Sequence, residues 1–329
     1  MSLGVQVCEM VKETVKYLAG VAGLSGYGSS TTAEQVVAQE FRSCSRLTAI
    51  ITGATSGIGA ETARVLAMTG VRIVIPARDL KKGYQVKERI LKENPEAEII
   101  LLEIDLGSFS SIQRFCSQFL SLNLPLNILI MRPRYVLAND EPGNRNNAGK
   151  FANKMELSEE KVEMTFATNY LGHFLLTELL LEKMAETAAE TGMQGRIVNV
   201  SSVIHSWAKG HHFKFNQMLQ PSNYNSTRAY AQSKLANILH AKELARQMKL
   251  RKVNVTVNAV HPGIVKTGII RDHKGFITGT YSLLRGFKIF KVDTTDCNEM
   301  QCSLPANDDA QALDLWRQTH AFIRQRLRR

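Results

Sequence analysis

An apolar run from Leu47 to Ile51 leads straight into Thr52-Gly53-Ala54-Thr55-Ser56-Gly57-Ile58-Gly59, and a helical pattern follows through Ala60 to Met68. No other stretch constrains the fold as strongly. A strand that enters a glycine turn and leaves as a helix opens a doubly wound α/β sheet. Glycines at 53, 57 and 59 let the backbone turn tightly and approach a pyrophosphate, whose charge is met by amides at the positive helix N-terminus. An ordinary strand-turn-helix connection with no ligand gives the same pattern, so the turn alone leaves both readings open.

A second feature lies far downstream in Tyr230-Ala231-Gln232-Ser233-Lys234. Positions i and i+4 share a helix face, which brings the Lys234 ammonium near the Tyr230 phenol. A free tyrosine titrates near pH ~10, and a fixed positive charge beside it favours the phenolate and lowers that value toward the working range of a general acid-base group. Alone, a Tyr and a Lys at this spacing describe a solvated helix face more often than a site.

Together with Asn146-Asn147-Ala148-Gly149 and Ser201-Ser202, these motifs resemble the short-chain dehydrogenase/reductase family. The resemblance covers roughly residues 45 to 270 and implies one Rossmann-type doubly wound parallel sheet in a single domain. It implies catalytic roles for Asn169, Ser202, Tyr230 and Lys234. Ser202 bonds the reacting oxygen, and Asn169 supports a proton path through water and Lys234. It also implies a cofactor cradle of Gly53, Thr55, Ser56, Gly57, Ile58 and Gly59. Asp105 and Leu106 lie along the adenine, beside Asn146, Ala148 and Gly149. Tyr230 and Lys234 face the nicotinamide ribose, and Pro262, Gly263, Val265 and Thr267 hold the carboxamide end. Each has a plain alternative, such as a helix polar residue for Asn169 or a strand-end hydroxyl for Ser202. His261 is expected to be a local structural histidine.

A narrower likeness runs through Val11 to Gly28, Phe166 to Phe174 and His261 to Gly268. These stretches resemble plant members related to retinol dehydrogenases, above all the dehydrogenase subunit associated with the chloroplast inner-envelope import translocon. That likeness implies a peripheral inner-envelope location and import-translocon partners, with a cytoplasmic location as the alternative.

Further strands are expected at Val71 to Ala77, Ile99 to Ile104, Leu126 to Ile130, Arg196 to Val200 and Val253 to Val260. The second ends in Ala77-Arg78 without the carboxylate that binds a ribose 2′-hydroxyl, and an arginine suits a 2′-phosphate. NADP(H) is therefore favoured over NAD(H), with a plain surface role for Arg78 as the alternative.

Two departures from the family pattern stand out. Met131 to Arg145, fifteen residues with two prolines and three arginines, separate the fourth strand from Asn146. Its composition predicts a solvated loop that either bulges outward or damages the adenine-side pocket. Beyond Gly268 to Phe290, an apolar lid or a core helix, the chain reaches Asp296-Cys297-Asn298-Glu299 without the expected helix and final strand. The last helix and edge strand are thus expected to be missing, baring the sheet edge.

Composition bounds the function classes. With 44% hydrophobic residues and no apolar run near the ~18 residues of a spanning helix, the chain predicts a substantial core and no transmembrane segment. Five scattered cysteines predict free thiols and no metal site. The net charge of +11 includes five arginines between Arg317 and Arg329, so the central domain predicts no nucleic-acid surface. Residues 1–46 read as an N-terminal extension with a short helix on Val11, Val15, Leu18 and Ala22, 47–309 as the domain, and 310–329 as a basic amphipathic helix. On that last helix Leu313, Trp316, Ile323 and Leu327 share a face, which suits packing on the domain or, by the narrower resemblance, calmodulin binding.

Two function classes follow. One is an NADP(H)-dependent oxidoreductase acting on a small hydrophobic carbonyl or alcohol. The other is an NADP(H)-sensing regulatory or scaffold subunit, or an inactive isoform. A sugar-nucleotide epimerase fits the spacing of the first glycine turn less well.

Overall fold

The computed structural model describes residues 31–40, 47–132, 155–208, 215–219, 221, 224–262 and 304–328. Six strands form one parallel sheet: β1 (Thr48–Ile51), β2 (Arg72–Ala77), β3 (Ile99–Glu103), β4 (Ile128–Met131), β5 (Gly195–Val200) and β6 (Val255–Val260). Their order is β3-β2-β1-β4-β5-β6, so the winding reverses between β1 and β4. That is the doubly wound arrangement, in which ligands bind at the C-terminal ends of the strands beside the reversal.

Parallel strands covered on both faces read as unbroken apolar runs, and β1 is buried at every position. Alternate residues divide between two cores. Ala49, Ile51, Ile73 and Ile75 pack with Ala60, Ala63 and Ala67 of α2 (Gly57–Ala67) and with Val86 and Ile90 of α3 (Leu80–Glu93). Ile50, Val74, Leu129 and Met131 face the larger core with α4 (Phe109–Ser121), α5 (Gly172–Thr191) and α7 (Ser226–Leu250). A short helix α6 (Phe215–Leu219) adds Phe215 and Met218 to this side. On the α2–α3 face the far half of the sheet is less covered: Ile128, Ile130, Val198, Thr256, Asn258 and Val260 are only half-buried.

The helix α1 (Ala33–Glu40) lies against α2, where Glu34 pairs with Arg64. Val11, Val15, Leu18 and Ala22, the expected helix of the N-terminal extension, lie outside the described residues. So do Gly268 to Phe290 and the stretch where a helix and strand are expected to be missing.

Two expectations are corrected. Met131 is not the first residue of an insert: it is the last of β4, in register with Asn199 of β5, because its side chain completes the buried face of the strand. The C-terminal helix α8 (Asp309–Leu327) packs on the domain with Ala312, Leu315, Thr319, Phe322 and Ile323 inward. Of the four residues expected to share its apolar face, only Ile323 is fully buried, while Leu313 and Trp316 are half-buried and Leu327 is exposed. The inward stripe follows i, i+4, i+7, i+8 from Leu315, and the buried Thr319 finds its place there by bonding Tyr170 Oη at 2.8 Å.

Candidate active site

The glycine turn is built as its residues demand. Gly53 and Gly57 have φ of 64° and 54°, in the left-handed region. A Cβ on Gly59 would come within 2.4 Å of the Gly53 carbonyl oxygen. The helix therefore starts pressed against its own turn. Ser56, the exposed N-cap, is extended and makes no side-chain capping bond, and the first turn of α2 holds no acidic residue. These features fit a pyrophosphate at the helix N-terminus.

Tyr230 and Lys234 stand on α7, whose N-cap Asn225 accepts from Arg228 N at 2.9 Å. Lys234 is 2% exposed, and its Nζ lies 5.1 Å from the centroid of the Tyr230 ring. The same Nζ donates to the Val200 carbonyl oxygen at 3.0 Å, at the C-terminal end of β5. The next residue tightens the joint, because Ser201 Oγ donates to the Lys234 backbone oxygen at 2.9 Å. Burial, and secondarily the Arg132 charge, push the Lys234 amine down to about 7.

Ser202 caps the 3-10 turn Val203–Trp207, accepting from Ile204 N, and stands half-buried beside the same joint. Asn169 is fully buried in a π turn, Ala167–Leu171, that leads into α5. Single π turns widen a helix by one residue and recur at functional sites. Asn169 Nδ2 donates to Ser233 Oγ at 3.2 Å, and its Oδ1 is buried without a hydrogen-bond donor among the described residues.

One network was not legible in the sequence. Arg132 N donates to Thr52 Oγ1 at 2.8 Å, Thr52 Oγ1 meets His173 Nε2 at 2.9 Å, and His173 Nδ1 meets the Asn169 backbone oxygen at 3.1 Å. Only one tautomer satisfies all three: Nδ1–H donates to Asn169, and Nε2 accepts from the Thr52 hydroxyl. Burial pushes His173 down to about 4, in keeping with a neutral ring. The glycine turn, the end of β4 and the π turn are thereby tied together. Both His173 and Thr52 sit inside recognised motifs, but neither carries a local signal of the contact.

Arg78 follows β2 and is exposed, next to Asp79, which caps α3 by accepting from Lys82 N. Asp105 is half-buried and turns its carboxylate back to accept from Gly107 N at 2.8 Å, which fixes the bend after β3. Leu106 is half-buried there, its carbonyl oxygen so close to α5 that a Cβ on Gly172 would lie 2.2 Å away. Pro262 follows β6 and is half-buried. His261 Nδ1 is buried with no partner among the described residues, and burial, reinforced by His205 and Lys234, holds its pKa low. Asn146, Ala148, Gly149, Gly263, Val265 and Thr267 lie outside the described residues.

A glycine turn at the reversal of a parallel sheet, with a buried lysine under a tyrosine ring at the end of β5, defines a dinucleotide-binding α/β domain. The chain belongs to the short-chain dehydrogenase family, whose model matches residues 47–213. It is 46% identical over 258 residues to short-chain dehydrogenase TIC 32 B, chloroplastic, of Brassica napus, covering 78% of this chain and 75% of that one. It is 37% identical over 238 residues to human retinol dehydrogenase 11, covering 72% and 67%. Among solved structures, a putative uncharacterized protein from Mycobacterium paratuberculosis superposes with a TM-score of 0.63 at 25% identity, covering 89% of this chain and 97% of that one.

Proposed function

We propose that the chain is an NADP(H)-dependent oxidoreductase that interconverts a hydrophobic carbonyl compound and its alcohol. The observation that carries this reading is the Lys234 ammonium set 5.1 Å from the Tyr230 ring, beside the end of β5. When bound, the cofactor supplies or accepts the hydride at its nicotinamide ring. In the reductive direction Tyr230 gives its phenolic proton to the oxygen as the carbonyl carbon gains hydride, and in the oxidative direction it takes that proton back. Lys234, its amine pushed down to about 7, places positive charge under the ring when protonated, which favours the phenolate half of that cycle. Ser202 bonds the reacting oxygen. Asn169, whose buried Oδ1 has no donor among the described residues, supports a proton path through water to Lys234.

Arg78, with no carboxylate at Ala77, favours the 2′-phosphate of NADP(H). The 46% identity to a chloroplastic relative supports a chloroplast location, and the translocon likeness of the sequence supports a peripheral place at the inner envelope with import-translocon partners. No helix among the described residues is long and apolar enough to cross a membrane. Titration of the purified protein with NADPH and NADH, followed by a screen of hydrophobic aldehydes, ketones and alcohols, tests the reading. Cofactor binding with NADPH-linked turnover supports it, and failure to bind either nucleotide overturns it.

The likeness of the sequence to the import-translocon dehydrogenase subunit supports a second reading, an NADP(H)-sensing or scaffold subunit without turnover. Binding without turnover in the same screen selects it. For α8, calmodulin recognition requires release of the helix, since Leu315, Phe322 and Ile323 are buried in the domain. A peptide covering Ala310 to Arg329 is expected to bind calcium-loaded calmodulin and to weaken with Trp316→Ala. Absence of heat in calorimetry at micromolar concentrations returns α8 to a purely structural role.

A further inference from the structure

Between α6 and the last turns of α8 lies a cavity of about 260 Å³, lined by Lys161, Val162, Asn216, Leu219, Phe322 and Arg326. It shares no residue with the cofactor turn or the Tyr230–Lys234 pair. Val162 and Phe322 are buried and Leu219 is half-buried, which gives the cavity an apolar floor. The charged side chains in its lining, Lys161 and Arg326, are both cations. The carboxylates next to Lys161 are engaged elsewhere: Glu159 accepts from Ser108 Oγ, Glu160 from Phe109 N at 2.6 Å, and Glu163 from Thr165 N and Phe166 N at 2.9 and 2.7 Å. Arg326 sets this cavity apart from a plain surface groove. It follows Phe322 by one helical turn, and its guanidinium carbon lies 5.1 Å from the centroid of that ring, which turns the cation towards the domain. Its Nε is buried without a hydrogen-bond partner, and the guanidinium makes no ion pair among the described residues. A charged donor kept dry and unbonded costs free energy, and an acceptor that the side chain can turn onto recovers it.

We propose that this cavity binds a small amphipathic carboxylate, a medium-chain fatty acid in chemical class, with its carboxylate on Arg326 and its chain against Val162, Leu219 and Phe322. The planar fork of the guanidinium matches two carboxylate oxygens at once, and the Lys161 charge adds attraction at longer range. At about 30 Å³ per water molecule, the cavity holds about nine water-sized groups, which suits an eight-carbon acid. Each methylene withdrawn from water tightens binding on the order of fourfold, so the chain contributes as well as the charge. A ligand so placed bridges α6 and α8. The inference stands apart from the oxidoreductase reading, because it uses neither the cofactor nor the Tyr230–Lys234 pair.

The test is calorimetric titration of the full chain with octanoate, butanoate and octylammonium. Octanoate is expected to bind, and butanoate to bind at least about tenfold more weakly because it has lost four methylenes. Octylammonium keeps the chain and reverses the charge, and is expected to be weaker than octanoate by about tenfold or more. Arg326→Gln is expected to weaken octanoate by about tenfold or more, the size of one lost charge-assisted hydrogen bond. Arg326→Lys is expected to fall between the two, since it keeps the charge and loses the fork. No binding of octanoate at millimolar concentration overturns the proposal. So does octanoate binding that Arg326→Gln leaves unchanged, which places the acid elsewhere, the substrate pocket included. Equal affinity for octanoate and butanoate, or for octanoate and octylammonium, overturns it as well. Should Arg326→Gln not fold, equal octanoate affinities of the wild type and Arg326→Lys overturn it.

Discussion

Thr52 in the glycine turn and His173 on α5 are joined by a hydrogen bond of 2.9 Å across 121 residues of sequence. Because His173 is also tied to the Asn169 carbonyl, the turn that faces the cofactor and the π turn that carries Asn169 share one neutral imidazole.

Replacing Thr52 with valine keeps the shape and removes the hydroxyl. It leaves His173 Nε2 without its donor and the Arg132 amide without its acceptor. Buried polar groups left in this way cost about 1–3 kcal/mol each. Thr52→Val is therefore expected to lower the urea midpoint clearly, and cofactor affinity with it. An unchanged midpoint would show that the network contributes nothing.

The sheet was legible because β1 to β4 are largely continuous apolar runs while β5 and β6 alternate apolar with polar positions, and all six strands appeared where expected, with ends shifted by one or two residues. Met131 was misread because a methionine beside Arg132 and Pro133 resembles the start of a polar loop, and only the register with Asn199 reveals it as strand. Tyr230 and Lys234 were legible because helix periodicity places i and i+4 together. The Thr52–His173 bond and the orientation of Arg132 were not, since they depend on which strand ends meet which helix. The face of α8 was misjudged for a related reason. Its inward stripe includes Thr319, a polar residue whose hydroxyl is satisfied by donating to the Leu315 carbonyl and by meeting Tyr170 Oη across the core.

A pH prediction comes from Glu178 on α5, which faces His320 Nε2 of α8 at 3.4 Å. That contact suggests an ion pair, but burial pushes Glu178 up to about 7 and lowers His320, so near neutral pH Glu178 is only about half ionised and faces a neutral imidazole. Arg251 and Arg324 pull Glu178 the other way without cancelling its burial. A carboxyl raised on folding favours the folded state fully below about 4.5 and loses that contribution as pH climbs through about 7. Glu178→Gln is thus expected to leave stability nearly unchanged at pH 5 and to raise it by on the order of 2 kcal/mol at pH 8. Thermal melts at the two pH values check this. A variant stabilised equally at both would contradict the assignment.

Arg78→Ala is expected to weaken NADPH by about tenfold and NADH little, because only NADPH offers a 2′-phosphate to the guanidinium. Fluorescence titration of both nucleotides measures the ratio. Equal losses would remove the selectivity argument and return Arg78 to a surface role.

The most direct measurement is the rate of hydride transfer by Tyr230→Phe against the wild type, with NADPH affinity determined on the same samples. The aromatic ring over Lys234 is kept and only the phenolic proton is removed. The kcat is expected to fall by about a hundredfold or more, with the dissociation constant for NADPH nearly unchanged. A variant that turns over at close to the wild-type rate would contradict the role assigned to Tyr230.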